Sequence, residues 1–207
     1  MFARVTRPRH PGLAARRMPW RRAAFASLDF ETTGLDRSRD AVVSFGVVPI
    51  DDGRVRVGGA VHQYVAAAVP SSVPSMRIHE ILPRDLVDAP SMDDARDRLR
   101  ASLDRRFVLA WYAGVEIAFL GRVFGGSERW WRRRTIDVRD LAIAVEGADR
   151  DARFGLTATA ERFGVPVATP HEALDDALVT AQLFLVLATR LAARGASTVA
   201  ALARSGR

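Results

Sequence analysis

The chain of 207 residues contains no cysteine and no lysine. Without cysteine there can be no disulfide and no thiolate-bound metal, which fits a reducing compartment, and the chain is read as cytoplasmic. Any metal must be held by Asp, Glu or His, a donor set that favours hard ions such as Mg2+ or Mn2+. There is no run of about 18 uninterrupted apolar residues, so no membrane span is expected. All 31 basic residues are arginine, and the net charge is +7. A basic balance favours polyanionic partners such as nucleic acid, although a genome's base composition can also enrich arginine and alanine. The length fits one domain, whose core should bury roughly 70% of the unfolded surface.

Acidic residues are missing from positions 1–22, which carry Arg4, Arg7, Arg9, Arg16, Arg17, Arg21 and Arg22 together with Pro8, Pro11 and Pro19. The prolines discourage regular structure. This segment reads as a basic, disordered arm, or as a stretch upstream of a true start at Met18. From Ala23 the pattern alternates. Residues 24–30, 42–50, 55–65 and 107–111 read as strands, with Asp51-Asp52-Gly53 as a hairpin turn. Ser91 caps a helix. Val115, Phe119, Leu120 and Val123 fall at helical spacing. Ile136–Val138 leads a short strand into a helix over 139–145, and Leu156, Ala160 and Phe163 mark another helix, ended by Gly164 and Pro166. A long, largely buried helix spans 173–193. The expected organisation is an arm over 1–22, one α/β domain over 23–195 built on a mixed sheet, and a short tail over 196–207.

The stretch Ser27-Leu28-Asp29-Phe30-Glu31-Thr32-Thr33-Gly34-Leu35-Asp36 carries the first chemical signal. Side chains alternate along a strand, so Asp29 and Glu31 share a face while Leu28 and Phe30 enter a core. Two adjacent carboxylates repel unless a cation lies between them. Thr32-Thr33-Gly34 then ends the strand and offers backbone N–H groups to a phosphate or sugar. Further along, His171 precedes a helix that holds Asp175 and Asp176. Five helical residues rotate by about 500°, so His171 and Asp176 share a site only if His171 lies in the entering loop. Asp175 reads as an ordinary partner of the helix dipole.

These residues resemble the motifs of the DEDDh 3′→5′ exonucleases, the group that includes the proofreading epsilon subunit of bacterial replicative polymerase. Asp29-Phe30-Glu31-Thr32-Thr33-Gly34-Leu35 resembles the first motif, and Ile78-His79-Glu80-Ile81 and Asp88-Ala89-Pro90 resemble the stretches that follow it. Ile136-Asp137-Val138-Arg139-Asp140-Leu141 is similar to a strand-to-helix element of the family, and His171-Glu172-Ala173-Leu174-Asp175-Asp176-Ala177 to its third motif. The likeness covers about residues 23–190. It implies a ribonuclease H-like fold, a single domain with a mixed five-stranded sheet flanked by helices. It also implies two Mg2+ or Mn2+ ions about 3.5–4 Å apart. Asp29 would bridge them, Glu31 and Asp176 would complete the surroundings of the first ion, and Glu116 would help position the second. His171 would activate water. Thr32, Thr33, Gly34 and Leu35 would hold the terminal nucleotide, with Leu35 as a wedge. The expected partner is the 3′ end of single-stranded DNA or RNA, with DNA favoured. Attachment to a polymerase is a further possibility.

The second motif departs from the family's pattern. Trp111-Tyr112-Ala113-Gly114-Val115-Glu116 stands where the family has a His-Asn pair and a catalytic aspartate. Glutamate keeps the charge but moves it by about one bond, roughly 1.5 Å. A weakened site that binds nucleic acid without cutting is the alternative, as is RNA trimming. Trp111 and Tyr112 could stack on a base or fill the core. Arg129-Trp130-Trp131-Arg132-Arg133-Arg134 could grip a single strand or cover an apolar surface. His79 reads as a turn-closing residue.

Overall fold

The computed structural model describes residues 6–149 and 154–205. Its spine is β1 (Phe25–Thr32), which pairs antiparallel with β2 (Val42–Asp51) and parallel with β5 (Phe107–Ala110). Beyond β5 lies β6 (Thr135–Asp137), also parallel. On the other side β2 pairs with β3 (Arg54–Val55) and β4 (Val61–Tyr64). The mixed sheet expected from the sequence is present, and the two-residue β3 brings it to six strands. Asp52 and Gly53 both have positive φ, 54° and 64°, as a two-residue hairpin turn between twisted strands requires. The single strand expected over 55–65 is instead β3, a 3-10 turn at Val57–Gly59, and β4. The Gly58-Gly59 pair accounts for that break, because glycine weakens a strand.

The helices in chain order are α1 (Leu13–Arg16), α2 (Val73–His79), α3 (Met92–Leu103), α4 (Gly114–Phe124), α5 (Glu128–Arg132), α6 (Val138–Glu146), α7 (Leu156–Arg162), α8 (Ala173–Ala193) and α9 (Val199–Ser205). Two layers of core follow from the pleat of β1. Phe25 points to the α8 side and meets Phe184 with ring centroids 4.7 Å apart. Ala26, Leu28 and Phe30 point the other way and pack with Leu99, Leu103, Ile117 and Leu120 of α3 and α4. Asp29 and Glu31 share the parity of Phe25, so they face α8. By length and apolar composition α8 could cross a membrane. Here its buried residues, Leu183, Phe184, Leu187 and Leu191 among them, form core against the sheet.

The ends of the chain differ from expectation. Residues 1–5 lie outside the described residues, but 6–22 are not a disordered arm. Trp20 is 2% exposed and packs edge-on against Phe184. Arg9 pairs with Asp104, and His10 lies between Phe107 and Trp130. The expected tail forms α9, with Val199 and Leu202 buried. The segments meet through Trp20 N–H to the Ser197 carbonyl at 3.0 Å and Val199 N–H to the Met18 carbonyl at 3.2 Å. Aromatic burial, which short polar spacing conceals, overrides the proline-rich and basic composition.

Candidate active site

Asp29 and Glu31 sit near the C-terminal end of β1, where the sheet hands over to loops. Asp176 comes from the first turn of α8. One carboxylate oxygen from each of Asp29, Glu31 and Asp176 lies within 4.8 Å of the others. This close approach depends on a glycine. Gly46 of β2 is the register partner of Asp29, and a Cβ there would collide with the carbonyl of Ala173 at the start of α8. The helix can therefore lie on the backbone of β2 and lower Asp176 onto β1.

The electrostatics of this cluster is unfavourable without a cation. Burial, then repulsion from Glu31, Glu116 and Asp176, holds the Asp29 carboxyl well above the usual range. Burial, Asp176 and Glu172 push Glu31 up to about 8. Asp176 is also raised by burial, though it accepts the His171 backbone N–H at 3.1 Å, which offsets part of the shift. Three hard oxygen donors with mutually raised carboxyls fit a divalent cation such as Mg2+ or Mn2+.

Glu116 reaches the site from the opposite face of the sheet, in the first turn of α4. It is 4% exposed, and burial pushes its carboxyl up to about 8. Its Oε2 is buried with no hydrogen-bond partner. The three-carboxylate set does not contain it, although its charge is felt by Asp29 and it feels that of Glu31. An unpartnered carboxylate oxygen beside the cluster suits a second cation-facing role. His171 has φ 63° and lies exposed in the turn before α8. That is the loop-then-helix arrangement required for His171 and Asp176 to share a site. Asp175, expected to serve only the helix dipole, also accepts the Thr169 N–H and so ties down the loop.

The loop after β1 requires one correction. Thr33 is fully buried, its N–H goes to the Ala41 carbonyl, and its hydroxyl donates to Asp40. Thr32 is buried and donates to the Gly34 carbonyl. A Cβ at Gly34 would strike the Asp40 carboxylate. These residues shape the loop around Asp40, and Thr33 has no backbone donor left for a nucleotide. Leu35, by contrast, is 80% exposed at the loop tip.

Several contributors were not legible as such in the sequence. Asp137 caps α6 and accepts N–H groups from Tyr112, Ala113 and Arg139, tying the second-motif turn to β6. Its place at a strand-to-helix boundary was the available signal. Glu172 lies 3.5 Å from His62 and adds to the repulsion on Glu31. Gly46 had a signal too, as a lone glycine within an apolar strand. His79 closes a turn by accepting the Ile81 N–H, as expected. Trp111 packs against the core, whereas Tyr112 is 57% exposed. In the Arg-Trp run Trp131 and Arg134 are fully buried, and Arg134 donates to the carbonyls of Pro8, Leu103 and Arg106. Those two members are interior structure.

A family model described as Exonuclease matches residues 27–184, from the strand bearing Asp29 to the middle of α8. The chain is 32% identical over 170 residues to the PolC-type DNA polymerase III of Thermotoga petrophila, covering 79% of this chain and 12% of that protein. It is 25% identical over 165 residues to the DNA polymerase III subunit epsilon of Treponema pallidum, covering 79% of this chain and 76% of the relative. The chain thus spans about an eighth of the PolC-type relative but most of the epsilon subunit. In fold it resembles E. coli exonuclease I in complex with a dA16 oligonucleotide, with TM-score 0.70, 17% identity, and coverage of 83% of this chain and 42% of that one. It also resembles exonuclease X in complex with 5′ overhanging duplex DNA, with TM-score 0.65, 21% identity, and coverage of 88% and 99%. With the family model spanning residues 27–184, most of its length, the chain belongs to the exonuclease family.

Proposed function

We propose that this protein is a divalent-metal-dependent 3′→5′ exonuclease that releases nucleoside 5′-monophosphates from the end of single-stranded DNA. The observation that carries the reading is the convergence of Asp29, Glu31 and Asp176 on one point, with Glu116 beside it. Family membership and the nucleic-acid-bound neighbours support it, as does the net charge of +7. We infer a cytoplasmic setting from the same relatives and from the lack of cysteine, and attachment to a polymerase from the epsilon-subunit likeness.

Asp29, Glu31 and Asp176 would hold one Mg2+ or Mn2+ ion, and Asp29 with Glu116 a second. Bound ions would supply Lewis-acid stabilisation of the oxygens that attack and leave phosphorus. His171 would take the proton from the attacking water as its oxygen bonds to phosphorus and the bond to the 3′ oxygen breaks. Its backbone N–H bonds Asp176, which supports the loop that carries it beside the carboxylates. Leu35 would wedge against the terminal base, and the loop shaped by Thr32, Thr33 and Gly34 would carry it. Tyr112, exposed beneath the Arg139 guanidinium at 5.1 Å, is placed to stack on a base.

The test is release of mononucleotides from matched single-stranded DNA and RNA, with Mg2+ and with Mn2+. Metal-dependent release from the 3′ end, abolished by Asp29→Ala, is the expected result. The buried position of Glu116, outside the three-carboxylate set, also favours a second reading in which the site binds but turns over slowly. Under the exonuclease reading Glu116→Asp changes an existing rate. Activity seen only in Glu116→Asp would instead identify the natural protein as a binding module.

A further inference from the structure

A groove of about 540 Å³ runs along the outer edge of β6, and none of Asp29, Glu31, Glu116 and Asp176 lines it. Beta6 is the last strand of the sheet, so no further strand covers this edge. The helix α5 and the residue after it form one wall, with Arg129, Arg132 and Arg133 lining the groove. Leu202 and Ala203 of α9 line the groove as well. At one end are Ala113 and Gly114, which begin the helix bearing Glu116. Arg37 lies over Gly114 at that end, near enough for its charge to act on Glu116. Arg16 holds the Arg133 carbonyl at 2.7 Å.

The charges of the groove are unevenly paired. Arg132 bonds Glu128 at 2.6 Å within its own helix. Arg129 and Arg133, one helical turn apart and exposed, make no side-chain ion pair among the described residues. Of the two acids at the groove, Asp137 has its carboxylate occupied by three backbone N–H groups, and Asp140 lies one turn further along α6. A wall of guanidinium groups over a backbone-saturated acid suits a flexible polyanion.

We propose that this groove carries the phosphodiester backbone of the substrate strand on the 5′ side of the cleaved nucleotide, with Arg129 and Arg133 on its phosphates. The proposal rests on the exonuclease reading for its direction, because Gly114 and Ile117, on the same helix as Glu116, line the groove. It makes strand binding depend on length, since a short oligonucleotide engages only the carboxylate end. Residues of the groove bind and position the strand and do not touch the reacting phosphorus.

The test is the affinity of the full chain for fluorescein-labelled single-stranded dT20 and dT4 across a salt series in EDTA, which separates binding from cutting. The protein with Arg129→Gln and Arg133→Gln is compared with wild type and with Arg54→Gln, which lies at the opposite edge of the sheet. Each phosphate contact contributes about 0.7 to the slope of log affinity against log salt for a single strand. The double variant should therefore lose about 1.4 of slope and bind dT20 roughly tenfold more weakly at low salt, with little change for dT4. Arg54→Gln should match wild type, and unchanged melting curves show that the variants fold. An unchanged slope, or an equal loss in Arg54→Gln, overturns the proposal. So does arginine-dependent binding of an acidic peptide with no binding of dT20. Failure of the underlying reading looks different: wild type binds dT20 but releases no mononucleotide when Mg2+ or Mn2+ is added.

Discussion

At the scale of single residues, the site is a set of acids that the fold brings together against their mutual repulsion. The pH behaviour follows with a definite sign. Glu31 and Glu116 hold their protons up to about pH 8 in the folded, metal-free protein, against 4.5 for an ordinary glutamate. Between those limits the folded state binds more protons than the unfolded state, so this contribution to stability falls as pH rises. The metal-free melting temperature should therefore drop between pH 5.5 and 8, and added Mn2+ should raise it more at pH 8 than at pH 5.5. Asp29→Asn removes a charge from the centre of the cluster. It should raise the metal-free melting temperature at pH 8 while reducing nuclease activity by at least about 100-fold, in line with the loss of an electrostatic stabiliser of the transition state. Calorimetry with and without Mn2+ reads the first effect. A melting temperature that is flat with pH and unmoved by Asp29→Asn would contradict this account. Much of this scale was legible in advance. Asp29, Glu31 and Asp176 follow from motif spacing and strand parity. The burial of Thr33 does not, because hydrogen bonds to Asp40 and Ala41 across a loop leave no periodic trace.

At the scale of elements, the decisive contact is between β2 and the start of α8. Gly46 is the point of closest approach. Gly46→Ala should force the two apart, costing about 1–3 kcal/mol in stability through overpacking. A shift of about 1 Å in Asp176 can lower the rate on the order of 100-fold. The expected signature is a folded protein with weakened metal affinity, read by isothermal titration with Mn2+. Wild-type affinity in Gly46→Ala would show that α8 does not need the glycine. The long elements were readable: the interval 173–193 matches α8, and Ser91 caps α3 through the Asp94 N–H. The short helices α2, α5 and α9 were not, because five to seven residues give at most a faint period and these lack the Gly164–Pro166 stop that marked the equally short α7.

At the scale of the whole molecule, the segment before the domain is part of its packing. Pro8 supplies a carbonyl to the buried Arg134 guanidinium, which burial lowers to about 10 and which therefore stays charged at neutral pH. Removing Pro8 leaves that donor short of one acceptor, at about 1–3 kcal/mol for a buried charged group. A chain begun at Met18 also loses the Arg9–Asp104 pair and the His10 contacts. Its melting temperature should fall by about 2–12 °C, using roughly 2–4 °C per kcal/mol for a domain of this size. An unchanged melting temperature would mean that residues 6–17 rest on the fold without supporting it. Composition misled here because arginine and proline suggest solvation, whereas the stretch is anchored by Trp20 and by carbonyls that any residue provides.

The meeting of residues 18–20 with 197–199 has a consequence in time as well as in space. Trp20 is synthesised well before its partners Phe184 and Ser197. At roughly 5–20 residues per second, the indole waits on the order of 10–35 seconds before its socket exists. During that interval the nascent chain presents a tryptophan flanked by Arg17, Arg21 and Arg22, and the seam can close only after residues 197–199 have been made.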